Sequence, residues 1–413
     1  MTDFADNAHR AERAMRPLFP ATPLQRNAHL SERFGAEIWL KREDLSPVRS
    51  YKIRGAFNAI SKRVAEGQTR FACASAGNHA QGVAYACQHF GVHGVVFMPV
   101  TTPMQKIEKT RIFGGDAVDI RLVGDYFDDT LAAAQAYCAD AGATFLSPFD
   151  DLDVMEGQST VAVELLDQLD SPPDMVILPV GGGGLSSGMK GYFDATGVGV
   201  DLRLVEPSGA TSLAAALEAG APQTLNKVDN FVDGAAVARI GARPFEILRD
   251  VPRDHVLSAP EDRICHTMLE MLNVEGIVLE PAGALAVDVL EPLRSEIKGK
   301  RVVCVTSGGN FDFERLPEVK ERSLRFAGLK KYFILRMPQR PGALKEFLGF
   351  LGPEDDIARF EYLKKSARNF GSVLIGIETK DAGAFERLFA RLDAAGFPFR
   401  DITEDALLSE FLI

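Results

Sequence analysis

The stretch MVILPVGGGGLSSGMKGYF, residues 175–193, decides the fold. Met175–Val180 reads as a strand and Leu185–Phe193 as a helix, with Gly181, Gly182, Gly183 and Gly184 at the junction. Successive N–H groups at a helix start lack partners, and the helix dipole favours negative charge there. Glycines let that backbone wrap a phosphate with no side chain in the way. The run is neither the spaced GxGxxG dinucleotide fingerprint nor a loop ending in GK[ST]. A merely flexible loop is the bland alternative, but flexibility alone rarely needs four consecutive glycines at such a junction.

The same strand-to-helix unit recurs on both sides. Arg70–Ala74 reads as a strand and Gly82–Phe90 as a helix stopped by Gly91. Val95–Met98 is apolar and β-rich, Pro103 opens a helix ending at Gly114–Gly115, and Ala117–Leu122 follows as a strand. Tyr126–Asp140 is helical and Leu202–Val205 a strand. Asp262–Asn273 and Pro281–Ile297 read as helical, and Arg301–Val305 as the last strand of the series. This alternation calls for an α/β architecture with parallel sheets covered by helices on both faces. Ligands in such sheets bind where strand ends meet helix starts.

After about residue 325 the rhythm changes. Tyr332–Met337 reads as a strand, and Arg340-Pro341-Gly342 is a turn with proline placed to open a helix. Leu344, Phe347, Leu348 and Leu351 then share one helical face. Ile357–Leu363 and Ser372–Glu378 are strands, Phe385, Leu388, Phe389 and Leu392 mark a second helix, and Phe397–Ile402 closes the unit. The order βαββαβ is ferredoxin-like α+β. The charged stretch Pro317–Arg325 reads as the linker, so residues 1–325 and 328–413 are expected as two domains.

Composition bounds the function. The 413 residues are 46% hydrophobic and 25% charged, with a net charge of −11. The charge repels nucleic acid and anionic membrane surfaces. Cys73, Cys87, Cys138, Cys265 and Cys304 are scattered without a CxxC pair, which argues against structural zinc and a disulfide framework. The N-terminus, with Asp3, Asp6 and Glu12, has no signal-peptide core, and no run approaches the ~20 apolar residues of a membrane helix. A soluble, cytoplasmic protein is expected, and no residue cluster announces a metal site.

Two further polar elements end strands. Ser75-Ala76-Gly77-Asn78-His79 follows Arg70–Ala74, and Ser307-Gly308-Gly309-Asn310 follows Arg301–Val305. Either alone reads as a tight turn, and His79 alone as a structural histidine. Lys52, in Ser50-Tyr51-Lys52-Ile53-Arg54-Gly55-Ala56, is singled out by no physical rule; nearly all of the 46 basic residues are expected to be solvated.

The ordered set does single it out. SYKIRGA, SAGNHAQG, GGGGL and TSGGN together resemble the fold type II pyridoxal-phosphate enzymes, in which two parallel-sheet α/β subdomains enclose the cofactor. Within them the pattern is similar to the threonine dehydratase (threonine ammonia-lyase) family, with further matches at Lys41–Leu45, Val232–Gly234 and Leu279–Ala284. A small subdomain of approximately residues 50–150 is then expected to be inserted in the larger. The resemblance implies pyridoxal 5'-phosphate as cofactor, bonded to Lys52. It implies that Gly181, Gly182, Gly183, Gly184 and Leu185 cradle the phosphate, that Asn78 meets the ring hydroxyl and Ser307 the ring nitrogen. Ser75, Ala76, Gly77, Asn78 and His79 would hold the substrate carboxylate. Tyr51 stands where many relatives carry phenylalanine.

On this footing Lys52 is also the base at Cα. A neutral Ser307 would leave a weaker electron sink than an aspartate and favour expulsion of the β-hydroxyl. Ala76, where serine racemases resemble this chain but carry serine, could not supply the second proton donor of a racemase. Threonine would give 2-oxobutanoate and ammonia, and serine pyruvate. Residues 328–413 resemble a single ACT-like regulatory domain of the biosynthetic type, implying isoleucine as feedback inhibitor, valine as an opposing effector and a place at the start of isoleucine synthesis. Relatives imply a homotetramer. A serine or hydroxyaspartate dehydratase, a cysteine synthase of the same fold and a non-catalytic amino-acid sensor remain as alternatives.

Overall fold

A computed structural model describes residues 2–363 and 369–405. The chain forms two compact units, Met1–Phe313 and Glu314–Ile413; residues 406–413 of the second lie outside the described part.

The first unit holds two sheets. The larger has the order Leu24–Arg26, Glu37–Arg42, Arg301–Thr306, Met175–Pro179, Asp201–Pro207 and Val256–Ala259, all parallel except for the first pairing. Met175–Pro179 is buried throughout because it lies inside this sheet with helices packed around it. The smaller sheet runs Val118–Leu122, His93–Met98, Arg70–Ala74 and Thr144–Phe145, also parallel. The strand-to-helix loops expected from the sequence therefore leave the carboxyl ends of parallel strands. Two helix readings differ from the structure. The helix after Arg70–Ala74 begins at Asn78, four residues before Gly82, because its first turn belongs to the polar loop. Pro281–Ile297 is not one helix: it breaks into Pro281–Asp288 and Arg294–Ile297.

Lys52 opens the helix Lys52–Ala65. That helix packs so closely on Leu152–Asp167 that a Cβ at Gly55 would stand 2.4 Å from Gln158, and one at Gly157 2.4 Å from the carbonyl of Arg54. The contact is sealed by charge. Arg54, fully buried, donates to both carboxylate oxygens of Glu43 (2.8 and 2.9 Å) and of Glu164 (2.7 and 2.8 Å). Lys41, equally buried, donates to Glu164 at 2.6 Å and to the Thr22 carbonyl at 2.7 Å. Desolvation alone would raise the Glu164 carboxyl, but Arg54 and Lys41 outweigh it and hold the group well below the usual carboxylate range. The turn Glu43–Leu45 that follows strand Glu37–Arg42, helix Lys52–Ala65 and helix Leu152–Asp167 are thus tied to one guanidinium.

The second unit begins with a helix, Leu316–Phe326, so the charged stretch read as a linker is helical. Proline opens it, and Lys320, Glu321, Arg322 and Arg325 fit its polar faces. Strands Lys330–Pro338, Asp356–Leu363, Phe370–Glu378 and Phe399–Asp401 form an antiparallel sheet, ordered with Lys330–Pro338 between Phe370–Glu378 and Phe399–Asp401. Helices Ala343–Leu348 and Ala384–Ala394 complete the βαββαβ order. Phe333, Phe347, Val373, Ile375, Phe385, Leu388 and Leu392 build its core.

Candidate active site

Backbone pairing brings Lys52 to the end of strand Arg301–Thr306. Tyr51 N–H donates to the Ser307 carbonyl at 3.1 Å, Ser50 bridges Gly308, and Gly309 N–H donates to the Arg49 carbonyl at 2.9 Å. Asn310 then donates through Nδ2 to the Val48 carbonyl at 2.8 Å and to Asn78 Oδ1 at 2.7 Å. Lys52, Asn78 and Ser307, about 255 positions apart in sequence at most, are therefore held in one lattice of hydrogen bonds.

The tetraglycine loop joins the same place through Leu146–Asp150. Lys52 Nζ donates to the Pro148 carbonyl at 3.0 Å. The next residue, Phe149, lies over the glycines: a Cβ at Gly182 would come within 2.1 Å of its ring, and one at Gly184 within 3.0 Å of its Cα and Cβ. Gly183 has φ +88°, a left-handed conformation that only glycine adopts without strain. Among the described residues no internal hydrogen bond is donated by the backbone N–H groups of Gly181 to Ser186 at the head of helix Gly184–Thr196. A side-chain-free row of unpaired donors at the start of a 13-residue helix fits a phosphate. Gly182→Ala drives a methyl group into the Phe149 ring, so cofactor affinity is expected to fall about tenfold or more. Equilibrium dialysis of the variant, alone and combined with Phe149→Ala, checks this, since the second change should restore part of the loss.

Ser75 to His79 form a second donor-rich loop. Ser75 Oγ accepts from Gly77 N–H at 3.2 Å, while the N–H groups of Asn78, His79 and Ala80 find no partner among the described residues. His79 is buried, with Nε2 3.0 Å from the Leu146 carbonyl and Nδ1 unpartnered. Burial, and then the nearby Lys52, push its imidazole down to about 3, so it stays neutral at physiological pH. Ser307, also buried, makes only a long 3.3 Å bond from Oγ to the Ala282 carbonyl, and its hydroxyl can turn to a ring nitrogen.

Lys52 itself is half-buried, with Nζ 5.2 Å from the centre of the Tyr51 ring. Burial lowers its ammonium to about 8, partly countered by Glu280. The neutral amine is the form that attacks an aldehyde or takes a proton from carbon. Uptake of pyridoxal phosphate by the apoprotein should therefore rise with pH through an inflection near 8; an inflection near the ordinary lysine value, in stopped-flow absorbance, would remove this reading.

Several contributors carried no sequence signal of their own. Pro148 and Phe149 sit in an unremarkable loop, and Glu280 and Asn310 were legible only as parts of matching strings.

The half-buried lysine, the unpaired glycine donors and the neutral polar contacts fit a pyridoxal phosphate. Residues 15–308 match the family described as pyridoxal-phosphate dependent enzyme, and residues 321–412 match the C-terminal regulatory domain of threonine dehydratase. The chain is 48% identical over 395 residues to L-threonine dehydratase biosynthetic IlvA of Bacillus subtilis, covering 95% of this chain and 93% of that one. It is 46% identical over 405 residues to the protein of that name in Halalkalibacterium halodurans, covering 98% and 97%. The processed form of threonine deaminase isoform 2 from Solanum lycopersicum superposes with a TM-score of 0.72 at 34% identity, covering 78% of this chain and 94% of that one. The chain belongs to the pyridoxal-phosphate-dependent enzymes and, among them, to the biosynthetic threonine dehydratase family.

Proposed function

We propose that this protein eliminates the β-hydroxyl of L-threonine as water and that water is taken up again as the resulting imine hydrolyses, giving 2-oxobutanoate and ammonia with a net loss of ammonia alone, with L-serine to pyruvate as a secondary reaction, at the first step of isoleucine synthesis. The observation that carries the reading is the convergence of Lys52, Asn78, Ser307 and the tetraglycine loop in a chain that matches biosynthetic threonine dehydratases over nearly its whole length. Pyridoxal phosphate, when bound, supplies the electron sink that makes the substrate α-carbon acidic.

The chain's own residues do the rest. Gly181 to Leu185 would hold the phosphate through unpaired N–H groups, Asn78 the ring oxygen, and Ser307 the ring nitrogen. Ser75 to His79 would hold the substrate carboxylate, with Asn78 and His79 N–H groups as donors. Lys52, its amine brought towards neutrality by burial, takes the proton from Cα. Ser307 carries no charge and so does not keep the ring nitrogen protonated, which favours loss of the β-hydroxyl over a long-lived carbanion. Ala76 has no proton to give, so racemisation should be slight.

Keto-acid formation tests the reading, with threonine, serine and hydroxyaspartate compared at equal concentration. Threonine and serine differ by one methyl, worth about 1–3 kcal/mol in a pocket, so a clear preference is measurable. A preference for hydroxyaspartate would sink it.

The second unit is a regulatory domain. We infer isoleucine as its inhibitor and valine as an opposing effector, acting on a cytoplasmic homotetramer. Among the described residues no helix is long and apolar enough to cross a membrane. Isoleucine should lower the apparent affinity for threonine, with valine reversing the effect in the same assay; insensitivity to both would remove the regulatory assignment and leave the dehydratase intact.

A further inference from the structure

Glu280 precedes helix Pro281–Asp288, where a side-chain oxygen commonly caps the first free N–H groups. Its carboxyl makes no such bond. It turns instead to Asn78, whose Nδ2 donates to Glu280 Oε1 at 2.6 Å. The residue is 6% exposed, and Lys106 and Lys109 reach it only through space. The fold makes room for it: a Cβ at Gly308 would lie 2.1 Å from Oε1. A buried carboxyl costs free energy unless its contacts repay it, and a neutral glutamine or an alanine there would cost less.

The surrounding carbonyls fix which way the Asn78 amide points. The Val48 carbonyl can only accept, so the end of Asn310 that faces it is Nδ2. That nitrogen also lies 2.7 Å from Asn78 and 3.0 Å from Gln81 Oε1; its second N–H goes to the nearer Asn78, so the Asn78 atom facing it is Oδ1. Asn78 Nδ2 then faces Glu280, and one of its two N–H bonds is used there. The second N–H has no partner among the described residues.

We propose that Glu280 is a positioning residue for the cofactor: by accepting one N–H of Asn78 it holds the amide with its other N–H towards the ring oxygen, and its state of ionisation sets the strength of that contact. The proposal rests on the placement of Asn78 at the ring oxygen given above. Burial, and then Asp233, push the carboxyl up to about 7, against Asn78, Lys106 and Lys109. Lys52 and Tyr51 also feel its charge. Ionised, the carboxylate only accepts, and the Asn78 amide is locked. Protonated, it can donate, and the lock loosens. The colour of the bound cofactor, which depends on how its ring oxygen is held, should follow that change.

The experiment is an absorbance titration of the substrate-free holoenzyme across neutral pH, with the cofactor dissociation constant measured alongside, for wild type, Glu280→Gln and Asn78→Ala. Wild type should show a shift between bands centred near pH 7. Glu280→Gln keeps an acceptor for Asn78 but cannot ionise, so affinity should stay within about threefold while the transition disappears. A wild-type transition in Glu280→Gln overturns the proposal. If Asn78→Ala leaves the spectrum unchanged, the placement of Asn78 fails and the proposal falls with it. If Asn78→Ala alters the spectrum but Glu280→Gln titrates like wild type, only the role of Glu280 fails. Should Glu280→Gln not retain cofactor, Glu280→Asp keeps an ionisable group on a shorter stem and must give a transition displaced in pH; an undisplaced one overturns the proposal.

Discussion

Lys52→Ala should lower kcat for threonine by about 10³-fold or more, the upper part of the range for losing a positioned general base, and in addition abolish the covalent attachment of the cofactor. The loss follows from the position of Nζ. It is held by the Pro148 carbonyl, directly beside the phenylalanine that covers the tetraglycine loop. Among the described residues no second basic side chain donates to that carbonyl. His79, the other nitrogen base in the neighbourhood, is held neutral with a pKa of about 3 and has Nε2 engaged with the Leu146 carbonyl. It is a poor acceptor for a proton from carbon. The proposed phosphate cradle at Gly181 to Leu185 uses no atom of Lys52, so the variant should still bind cofactor, more weakly and without the wild-type visible band. Wild-type-like turnover would disprove the role of Lys52. A variant with no turnover but an unaltered visible band would place the attachment elsewhere.

Arg54→Met should destabilise the first unit by about 3–5 kcal/mol, the usual cost of breaking a buried charge pair by removing one partner. The substitution leaves Glu43 and Glu164 buried across the space of the lost guanidinium; Glu164 keeps Arg16, Lys41 and Thr22, while Glu43 keeps the Thr22 hydroxyl. Chemical denaturation of the apoprotein, following the transition midpoint, checks it; a change below about 1 kcal/mol would mean that the network contributes little beyond packing. The pH dependence has a defined sign. Glu164 is held below its unfolded value, so its contribution is present above the unfolded carboxylate pKa and is lost as pH falls through the folded one. In wild type, acid should therefore cost stability from the ordinary carboxylate range downward, and in Arg54→Met this slope should flatten. Because helix Lys52–Ala65 is one of the tied elements, activity should fall along with stability.

These two residues show what could and could not be read in the sequence. The strand-to-helix loops were legible because their signals are local: Gly181–Gly184 after an apolar run, Ser75–His79 after Arg70–Ala74, and Ser307–Asn310 after Arg301–Val305. The second unit was legible above all in helix Ala384–Ala394, where Phe385, Leu388 and Leu392 recur at helical spacing and are buried; of the face read over Leu344, Phe347, Leu348 and Leu351, Phe347 is buried while Leu344 and Leu348 are exposed and Leu351 lies past the helix end. Strand Glu37–Arg42 and helix Leu152–Asp167 left no comparable pattern. The helix is buried almost all round, and polar Glu156, Gln158, Ser159, Thr160 and Glu164 are buried with the apolar residues, which erases the periodicity. The strand ends in Lys41 and Arg42, which in isolation suggest solvent; here Lys41 is wholly buried because Glu164 and the Thr22 carbonyl receive it. Charges that answer each other across more than a hundred positions are invisible to any window read along the chain.

Glu280 belongs to the same class. Its neighbour Pro281 announced a helix start, but the direction of the carboxyl, away from that helix and towards Asn78, depends on a loop some two hundred residues earlier. Phe149 is similar: nothing in Ser147-Pro148-Phe149-Asp150 says that its ring will rest on glycines after another strand.

The central claim is that Lys52 holds the cofactor at the meeting point of these loops. Borohydride reduction of the holoenzyme, followed by proteolysis and mass spectrometry, fixes the bond permanently and locates it. The pyridoxyl group should be recovered on Lys52, in the peptide containing Ser50-Tyr51-Lys52-Ile53-Arg54, in nearly stoichiometric yield. Recovery on another lysine, or no labelled peptide from a coloured protein, would contradict the account.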